Sequence, residues 1–565
     1  MASEDSGLAK LDAALAGLFA DWSVYSTILA TLIAVSISYV LFFSKEPDVH
    51  PYLLARQAVE APVRLPGESA VLRAHDVPHG YPLKSGLGVK DPNTPKWTSG
   101  RNGDLRDIWR AAVRGSLNAD GTPTGKQGKV YTVLGKNIQE RKLDDISKEI
   151  NILGQYVQES GLKTVAVSLC DSIELLTAIF AGAFYGFKIV LIPHGLPSRT
   201  LTEHLEQSKA ELLIAEAGVV DLEVLLDAPG LKGIVWVAKA GNRHMEWSQV
   251  PEGVGGTLEI AEWHELCDEK KGSVASQLPA TDLTVPPPAL VTLWATSPNT
   301  QTFIEYSAEN LVAGIAALGA ALPRGERLTS SDLLLSIDSL YRSYPLCLVL
   351  AALYVNASVA LTSVAGEGVN FALATATISP TLIVASSHTM SKYHTEYMAP
   401  HTGPIAKLGR FFQRQSLDAG VMPQHNLLTQ LANIGPTSEL SLDKLRLLFV
   451  SHRVDGDPQR QLTSDQLTDL RIFTGARVAY ALTAPTVAGA ISQTNPCDYR
   501  QHAGFSHFGP PVSSVEVKLT NHKEESGKDR AAEGDLFVAG PSVVCGETSL
   551  GVRARYQDDY TLALA

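Results

Sequence analysis

Residues 165–215 read VAVSLCDSIELLTAIFAGAFYGFKIVLIPHGLPSRTLTEHLEQSKAELLIA, and this stretch decides the fold. Short apolar runs rich in β-branched residues alternate in it with longer runs whose apolar residues have helical spacing. The pattern predicts strands at Thr164–Leu169, Lys188–Ile192 and Glu211–Ala215, and helices at Ile173–Tyr185 and Thr200–Ser208. Strands that alternate with helices over this length indicate an α/β fold, with a parallel sheet covered by helices on both faces.

The same alternation continues through most of the chain. Further strands are predicted at Gly233–Ala238, Thr381–Ala385, Leu447–Ser451 and Arg477–Tyr480. The apolar run Pro345–Ala365 is interrupted by Asn356, so we interpret it as a buried helix followed by a core strand. Beyond about residue 510 the period changes to two, at Val515–Leu519 and Asp535–Ala539, which predicts a small antiparallel β subdomain.

The amino-terminal part of the chain has a different character. Trp22–Phe43 is a run of 22 residues without a charge, enough for a helix that spans a bilayer, which needs roughly 20 residues. A cleaved signal peptide is the alternative, but no small-residue cleavage site follows the run. We therefore predict a tail at 1–21, a transmembrane anchor at 22–43 and a tether at 44–100. More basic residues follow the run than precede it, which places the bulk of the chain in the cytosol.

Composition excludes several classes of function. The net charge of −12 argues against a nucleic-acid-binding protein, which would need basic patches. The five cysteines are isolated and form no CxxC pair, so neither a zinc site nor a disulfide framework is predicted. We expect no metal site from the sequence.

Residues 294–311, WATSPNTQTFIEYSAENL, lie where a strand should lead into a phosphate-binding loop. An apolar run reaches Thr296 and Ser297, and a helix is predicted to begin after Ser307. Glycine and lysine, the residue types with which loops hold phosphates, are missing between these flanks.

Six stretches in order resemble the large domain of the adenylate-forming superfamily, closest to acyl-CoA synthetases. They are the stretch at 165–215, SDLLLSIDSLYRSYPLCLVLAALYVNASVAL, ISPTLIVAS with LDKLRLLFVS, RVAYALTAPTVAGAI, HFGPPVSSVEVKL and EGDLFVAGPSV. The resemblance covers about residues 101–556. It implies an AMP-binding-like α/β domain at 101–509 and a β subdomain at 510–565.

The resemblance also implies an activity. ATP and a carboxylate would give an acyl-adenylate and pyrophosphate, and coenzyme A would then accept the acyl group. ATP or AMP, Mg²⁺ and coenzyme A are therefore expected as cofactors only if the chain is an active ligase. The family's catalytic lysine belongs to a C-terminal subdomain, which we predict to be absent because the sequence ends at Ala565. No catalytic residue can be carried over.

Two of the family's nucleotide-binding segments are degenerate. Thr296 and Ser297 match the first positions of the family loop TSGTTGxPKG, but no glycine or basic residue follows before Ser307, and Glu305 adds a negative charge. Tyr480 and Thr483 match the segment beside the adenine and phosphates, although Ala484 stands where the family has a Mg²⁺-binding glutamate. These four residues are the nucleotide-binding candidates, and ordinary strand-end roles for Tyr480 and Thr483 remain equally open.

Three further positions depart from the family. Arg342 stands where the family has a histidine, and it is an acyl-pocket candidate that could pair with a carboxylate. A surface position is the alternative, which we favour. His452 is interpreted as structural rather than as a base. Asp558 and Asp559 lie near the expected ribose position but are interpreted as a charged turn.

Two hypotheses follow from these observations. The first, which the sequence favours, is a membrane-anchored pseudoenzyme that binds an acyl, acyl-CoA or nucleotide ligand, or a partner protein. The alternative is an active fatty acid–CoA ligase. The membrane is expected to be that of the endoplasmic reticulum, with lipid droplets and the outer mitochondrial membrane as alternatives.

Overall fold

The computed structural model describes residues 17, 23–43, 46–90, 95, 97–118, 121–135, 137–226, 228–239, 241, 245, 247, 258–270, 272–280, 282–297, 300–401, 403–424, 435, 442–521 and 533–565. The chain divides into two compact units, Met1–Asp48 and Val49–Ala565.

The first unit contains one described helix, α1, at Val24–Phe43. Large apolar side chains along it are exposed, among them Ile28, Leu32 and Ile33. Across the described residues, no helix has the length and apolar character needed to cross a membrane. The prediction of a membrane-spanning anchor at Trp22–Phe43 is therefore not supported. The predicted tail at 1–21 lies outside the described residues, apart from Gly17.

The second unit contains the remaining helices and all the described strands. The helices are α2 Pro51–Ala55, α3 Leu105–Arg114, α4 Leu143–Glu159, α5 Ile173–Tyr185, α6 Ser198–Ser208, α7 Leu222–Leu226, α8 Trp263–Lys270, α9 Ala308–Ala320, α10 Ser343–Tyr354, α11 Phe371–Thr375, α12 Ser387–Tyr393, α13 Pro404–Asp418 and α14 Ser464–Thr474. Short 3-10 turns lie at Arg324–Glu326 and Pro458–Arg460, and a π-helical turn at His394–Met398.

The strands are β1 Ala58–Glu60, β2 Leu72–Ala74, β3 Val130–Leu134, β4 Asn137–Arg141, β5 Thr164–Ser168, β6 Lys188–Leu191, β7 Leu212–Glu216, β8 Gly233–Val237, β9 Glu259–Glu262, β10 Leu290–Ser297, β11 Thr300–Tyr306, β12 Leu333–Ser336, β13 Ser358–Thr362, β14 Leu382–Ser386, β15 Leu447–Arg453, β16 Arg477–Thr483, β17 Ser492–Gln493, β18 Glu516–Thr520, β19 Glu533–Ala539, β20 Glu547–Tyr556 and β21 Leu562–Leu564.

Two mixed sheets form the α/β part. Within the described residues, one has the order β17-β16-β15-β14-β12-β13-β3-β4 and the other β11-β10-β6-β5-β7-β8-β9. Pairing is parallel except at β17, β4 and β11. The predicted strands and helices of residues 164–238 are all present, and the run Pro345–Ala365 is the buried helix α10 followed by the core strand β13. The α/β prediction is confirmed.

The third sheet is antiparallel and corrects the predicted boundaries. Its order is β1-β2-β18-β19-β20-β21, so the β subdomain predicted at 510–565 also includes two strands from the segment predicted as a tether. Leu72 pairs with Val517, and the backbone N–H of Gln57 donates to the carbonyl of Asp559 at 2.8 Å. Residues 58–74 are thus an integral part of this sheet and not a linker.

Gly314 lies at a close contact between two elements. In α9, a Cβ added to Gly314 would overlap with the backbone carbonyl of Ala488, whereas a Cβ added to Gly319 of the same helix would meet nothing within 4 Å. We expect Gly314→Ala to destabilise the protein by about 1–3 kcal/mol, because two backbones must separate. Gly319→Ala is expected to stabilise it by up to about 1 kcal/mol, since alanine favours the helix. Urea unfolding measures both, and equal effects would contradict the predicted close contact.

Candidate functional site

The candidate site lies at the carboxyl edge of the eight-stranded sheet. In open α/β sheets, ligands bind outside the carboxyl ends of the strands. Asp338 follows β12 and Ser387 follows β14, while His452 and Thr483 lie in the last residues of β15 and β16. The strand register places Ser386 beside Ser451 and Arg453 beside Thr483, so these strand ends meet along one edge.

Three arginines at this edge surround one glutamate. The Arg342 guanidinium lies 2.7 Å from the Glu367 carboxylate, the Arg460 guanidinium 3.7 Å from it and the Arg453 guanidinium 4.0 Å from it. Burial alone would raise the pKa of Glu367, but the three arginines outweigh it and the pKa is lowered. Glu367 therefore stays ionised and occupies the position that an external anion would take.

Arg342 is not the surface residue that we favoured from the sequence. Its side chain is only 19% exposed, and its guanidinium also lies 3.4 Å from the carboxylate of Asp338. Asp338 is fully buried, and burial raises its pKa in spite of Arg342. The Ser451 hydroxyl donates to the second oxygen of this carboxylate at 3.2 Å. Arg342 thus neutralises two carboxylates of its own chain.

Residues at and just after the end of β15 also contact β10, the strand that leads into the loop after Ser297. The Trp294 indole N–H donates to Asp455 at 2.9 Å, and the Arg453 guanidinium lies 4.4 Å from the centre of the Trp294 ring. Arg453 and Asp455 form an ion pair at 2.8 Å. The structure therefore brings the start of the loop to the same edge as Arg342 and Thr483.

The loop itself closes a β-hairpin. β10 and β11 pair antiparallel from Leu290 with Tyr306 to Ser297 with Thr300, so Thr296 and Ser297 are the last two residues of β10. Pro298 and Asn299 lie outside the described residues. Glu305 pairs with Val291, at the opposite end of the hairpin, and its carboxylate contacts Lys188. Our expectation that Glu305 adds a negative charge to the loop is wrong.

The predicted adenine-side residues have contacts within the protein. Tyr480 is fully buried, its ring lies 4.7 Å from that of Phe508, and its hydroxyl accepts from the Leu462 N–H at 3.0 Å. Neither ring face is open to a nucleotide. The Thr483 hydroxyl donates to the carbonyl of His452 at 3.0 Å. These contacts favour the strand-end interpretation of both residues.

His452 has the structural role that the sequence suggested. Its side chain is buried, and burial lowers the pKa of His452 to about 4, so the imidazole is neutral. One ring nitrogen hydrogen-bonds to the Ser387 hydroxyl at 3.0 Å, a partner that the sequence did not predict. Asp559 lies in the turn that we predicted and is likewise structural, because its carboxylate pairs with Arg500 at 2.6 Å.

Sequence reasoning missed Glu367 and Asp455. Glu367 lies between two glycines, in GEG. A Cβ added to Gly368 would overlap with the imidazole of His388, and the φ of Gly368 is +70°. The two glycines of GEG, which predict a tight turn, are the sequence signal that could have identified this segment. Elsewhere, Glu262, His264 and Glu265 bring possible metal-ligand atoms within 4.8 Å of one another among the described residues, another arrangement not predicted from the sequence.

Solved structures with the same architecture identify the fold. The anthranilate-CoA ligase AuaEII, solved with anthranoyl-AMP, matches with a TM-score of 0.58 and 14% identity over 82% of this chain and 77% of the ligase. The chain has the adenylate-forming, acyl-CoA synthetase-like fold. VinN matches with a TM-score of 0.56 and 13% identity, over 82% of this chain and 98% of its own. For the long-chain-fatty-acid-CoA ligase FadD1 of Archaeoglobus fulgidus the values are 0.54 and 13%, over 86% of each chain.

Comparison of sequences adds one relative. The putative uncharacterized protein YHR045W of Saccharomyces cerevisiae is 23% identical over 515 residues, which are 85% of this chain and 83% of that protein. No model of a known family matches the chain. The resemblance stated from the sequence is thus confirmed for the fold.

The residues at this edge do not fit Mg²⁺ and a polyphosphate. Mg²⁺ needs hard oxygen ligands, but Asp338, Glu367 and Asp455 are each paired with an arginine, and the residue after Thr483 is the buried Ala484. A polyphosphate needs free cations, whereas each of the three arginines lies within 4.0 Å of a carboxylate. We therefore derive no step that passes through ATP.

Proposed function

We propose that this protein is a pseudoenzyme of the adenylate-forming fold, which binds an anionic acyl, acyl-CoA or nucleotide ligand without adenylating it. The observation that carries the proposal is the position of Glu367 among Arg342, Arg453 and Arg460. An adenylating enzyme must stabilise the charge that develops as pyrophosphate leaves. Here the cations suited to that role are already neutralised by the protein itself.

The same geometry supports a way for an anion to bind. Glu367 lies on the connection between β13 and α11, and its side chain is 31% exposed, whereas Arg342 and Arg453 are 19% and 17% exposed. The glutamate is the more accessible partner, so it can be displaced while the arginines keep their places. The carboxylate or phosphate of a ligand would then take the place of the Glu367 carboxylate beside the arginines.

Exchange of pyrophosphate into ATP tests the absence of adenylation. We expect the full chain, with Mg²⁺ and a panel of fatty acids and aryl acids, to show no exchange above the protein-free background. An active acyl-CoA ligase in parallel reactions shows that the assay works. Exchange that depends on both Mg²⁺ and the acid would establish the alternative, an active fatty acid–CoA ligase, and would overturn the pseudoenzyme proposal.

A charge-removing variant tests the binding part. Glu367→Gln keeps the side chain's shape and removes the internal anion, so we expect AMP or palmitoyl-CoA to bind about tenfold more tightly, the equivalent of about 1.4 kcal/mol. Glu309→Gln removes an exposed carboxylate at the start of α9 and is the matched control. Isothermal titration calorimetry measures both, and an equal response of the two variants would refute the exchange of anions at Glu367.

The cellular location remains a separate proposal. We propose the endoplasmic reticulum, because the uncharged run Trp22–Phe43 with a more basic segment after it would suit that membrane with the bulk of the chain in the cytosol. Fractionation of cells that express the tagged full-length chain tests it. Recovery in the cytosolic fraction alone would contradict this location.

A further inference from the structure

A cavity of the large unit lies apart from the arginine cluster, which consists of Arg342, Arg453 and Arg460. Its volume is about 600 Å³, which lies within the range of roughly 300 to 1,000 Å³ that is usual for small-molecule sites. It lies where the segment around α2, the end of α9 and the segment 510–513 meet, next to β17.

Most of the cavity wall is apolar. Ala320 and Ala321 at the end of α9, together with Pro511 and Val512, form part of it. Leu53 of α2 also lines the cavity, and its side chain is 64% exposed. A wall of this kind favours the apolar part of a ligand over water.

Two buried polar groups in the same wall lack partners among the described residues. The Gln493 amide oxygen accepts from the Tyr344 hydroxyl at 2.9 Å, but no described residue accepts from its Nε2. The Ser513 hydroxyl also has no partner among them. Both residues line the cavity and are 3% exposed. Buried donors without partners are rare and unfavourable, and an acceptor oxygen of a bound ligand would satisfy them.

The cavity wall also carries a basic and an acidic side chain. Arg56 and Asp76 line the cavity, and Arg56 is already paired with Glu60 at 3.1 Å. Gln493 Nε2 and Ser513 Oγ, together with the apolar wall, are the features from which we argue the ligand.

We propose that this cavity binds a single-chain amphiphile through a carbonyl or carboxylate oxygen that accepts from Gln493 Nε2 and Ser513 Oγ, with its alkyl chain against Ala320, Ala321 and Val512. The chemistry is shared by free fatty acids and by neutral acyl amides or esters. This site does not depend on the arginine cluster, so it stands or falls independently of the pseudoenzyme proposal.

Titration calorimetry of the full chain with three probes of equal chain length tests the ligand class. Decanoate and decanamide present the acceptor oxygen, whereas decylammonium presents only donors. We expect at least one of the first two to bind at least tenfold more tightly than decylammonium. Tighter binding of decanoate assigns the site to free acids, and tighter binding of decanamide assigns it to neutral acyl derivatives. Equal binding of all three probes, or no binding of any, overturns the proposal.

Two variants test the location. Ala321→Leu places a larger side chain in the cavity and is expected to weaken binding at least tenfold. Ala419→Leu is the matched control, since Ala419 also follows the last residue of a helix, α13, and is exposed. Ser513→Ala is expected to weaken binding about three- to tenfold, the range for one lost hydrogen bond, without lowering the unfolding temperature. Unchanged binding by Ala321→Leu would overturn the assignment to this cavity.

Discussion

Replacing Arg342 with methionine is expected to lower the free energy of unfolding by about 3–5 kcal/mol, the usual cost of removing one partner from a buried ion pair. Arg342 contacts Glu367 at 2.7 Å and Asp338 at 3.4 Å. Asp338 is fully buried and would keep only neutral hydrogen-bond donors, from Ser451 and the Ser339 backbone. Methionine retains most of the apolar stem, so the change isolates the charge.

The effect of this variant should depend on pH in a defined direction. The pKa of Glu367 is lowered by its arginines, so its contribution to stability is present above its ordinary pKa and is lost as the pH falls. The difference between wild type and Arg342→Met should therefore be largest near neutral pH and decrease below about pH 4.5, an unperturbed glutamate value.

Urea unfolding at several pH values measures this difference, with Arg324→Met as the control. Arg324 lies in an exposed 3-10 turn, and substitutions of that kind change stability by only about 0.5 kcal/mol. A similar small effect for Arg342→Met would show that the arginine is not needed to neutralise the buried carboxylates.

The α/β layers could be predicted because their local signals and their packing agree. Strands β5, β6 and β7 are buried on both faces and therefore read as continuous apolar runs. Helix α5, between β5 and β6, is capped by Ser172, whose hydroxyl accepts from the Leu175 N–H. Serine is a preferred capping residue and is visible in the sequence. Elements of this kind can be predicted from their own residues alone.

The amino-terminal strands could not be predicted because their signal is not local. β1 and β2 have three residues each, too few for a period to be recognised. Arg73 of β2 contacts Glu516, which lies 443 positions further along the chain. Only the folded sheet brings β1 and β2 next to β18. Because the sequence carries no local sign of this pairing, it predicts a tether at 44–100 instead of strands.

The candidate site could be predicted only in part, because some of its features are local in the sequence and others depend on contacts between distant residues. The loss of loop glycines, of the loop lysine and of the Mg²⁺ carboxylate is visible in the sequence at 294–311 and at Ala484. The contacts of the arginines are visible only in the structure. Glu367 contacts Arg342, which lies 25 positions away in the sequence, and it also lies near Arg453 at the end of β15. The sequence shows where this chain departs from the motifs of the family it resembles, and the structure shows that Arg342, Arg453 and Arg460 are paired with Glu367.

The last prediction concerns two buried carboxylates, Asp171 and Asp332, whose pKa values are shifted in opposite directions. Asp171 follows β5 and is almost fully buried, and burial raises the pKa of Asp171 to about 8. It accepts from the Leu340 backbone N–H at 3.0 Å, which joins the ends of β5 and β12. Because the folded-state pKa is raised, its contribution to stability is present below the unfolded value and is lost as the pH rises through about 8.

We therefore expect Asp171→Asn to be more stable than the wild type at pH 9, by several kcal/mol at about 1.4 kcal/mol per pKa unit, and similar to it near pH 4. The neutral amide can still accept from Leu340 and needs no proton. Asp332→Asn is the control of opposite sign, because Arg446 lowers the pKa of Asp332 against its burial through contacts of 2.8 Å. That variant should lose stability at neutral pH and match the wild type only below about pH 4, an unperturbed aspartate value. Urea midpoints from pH 4 to 9 measure both variants, and a wild type whose stability does not fall relative to Asp171→Asn over this range would show that Asp171 is ionised without penalty where it joins the two sheets.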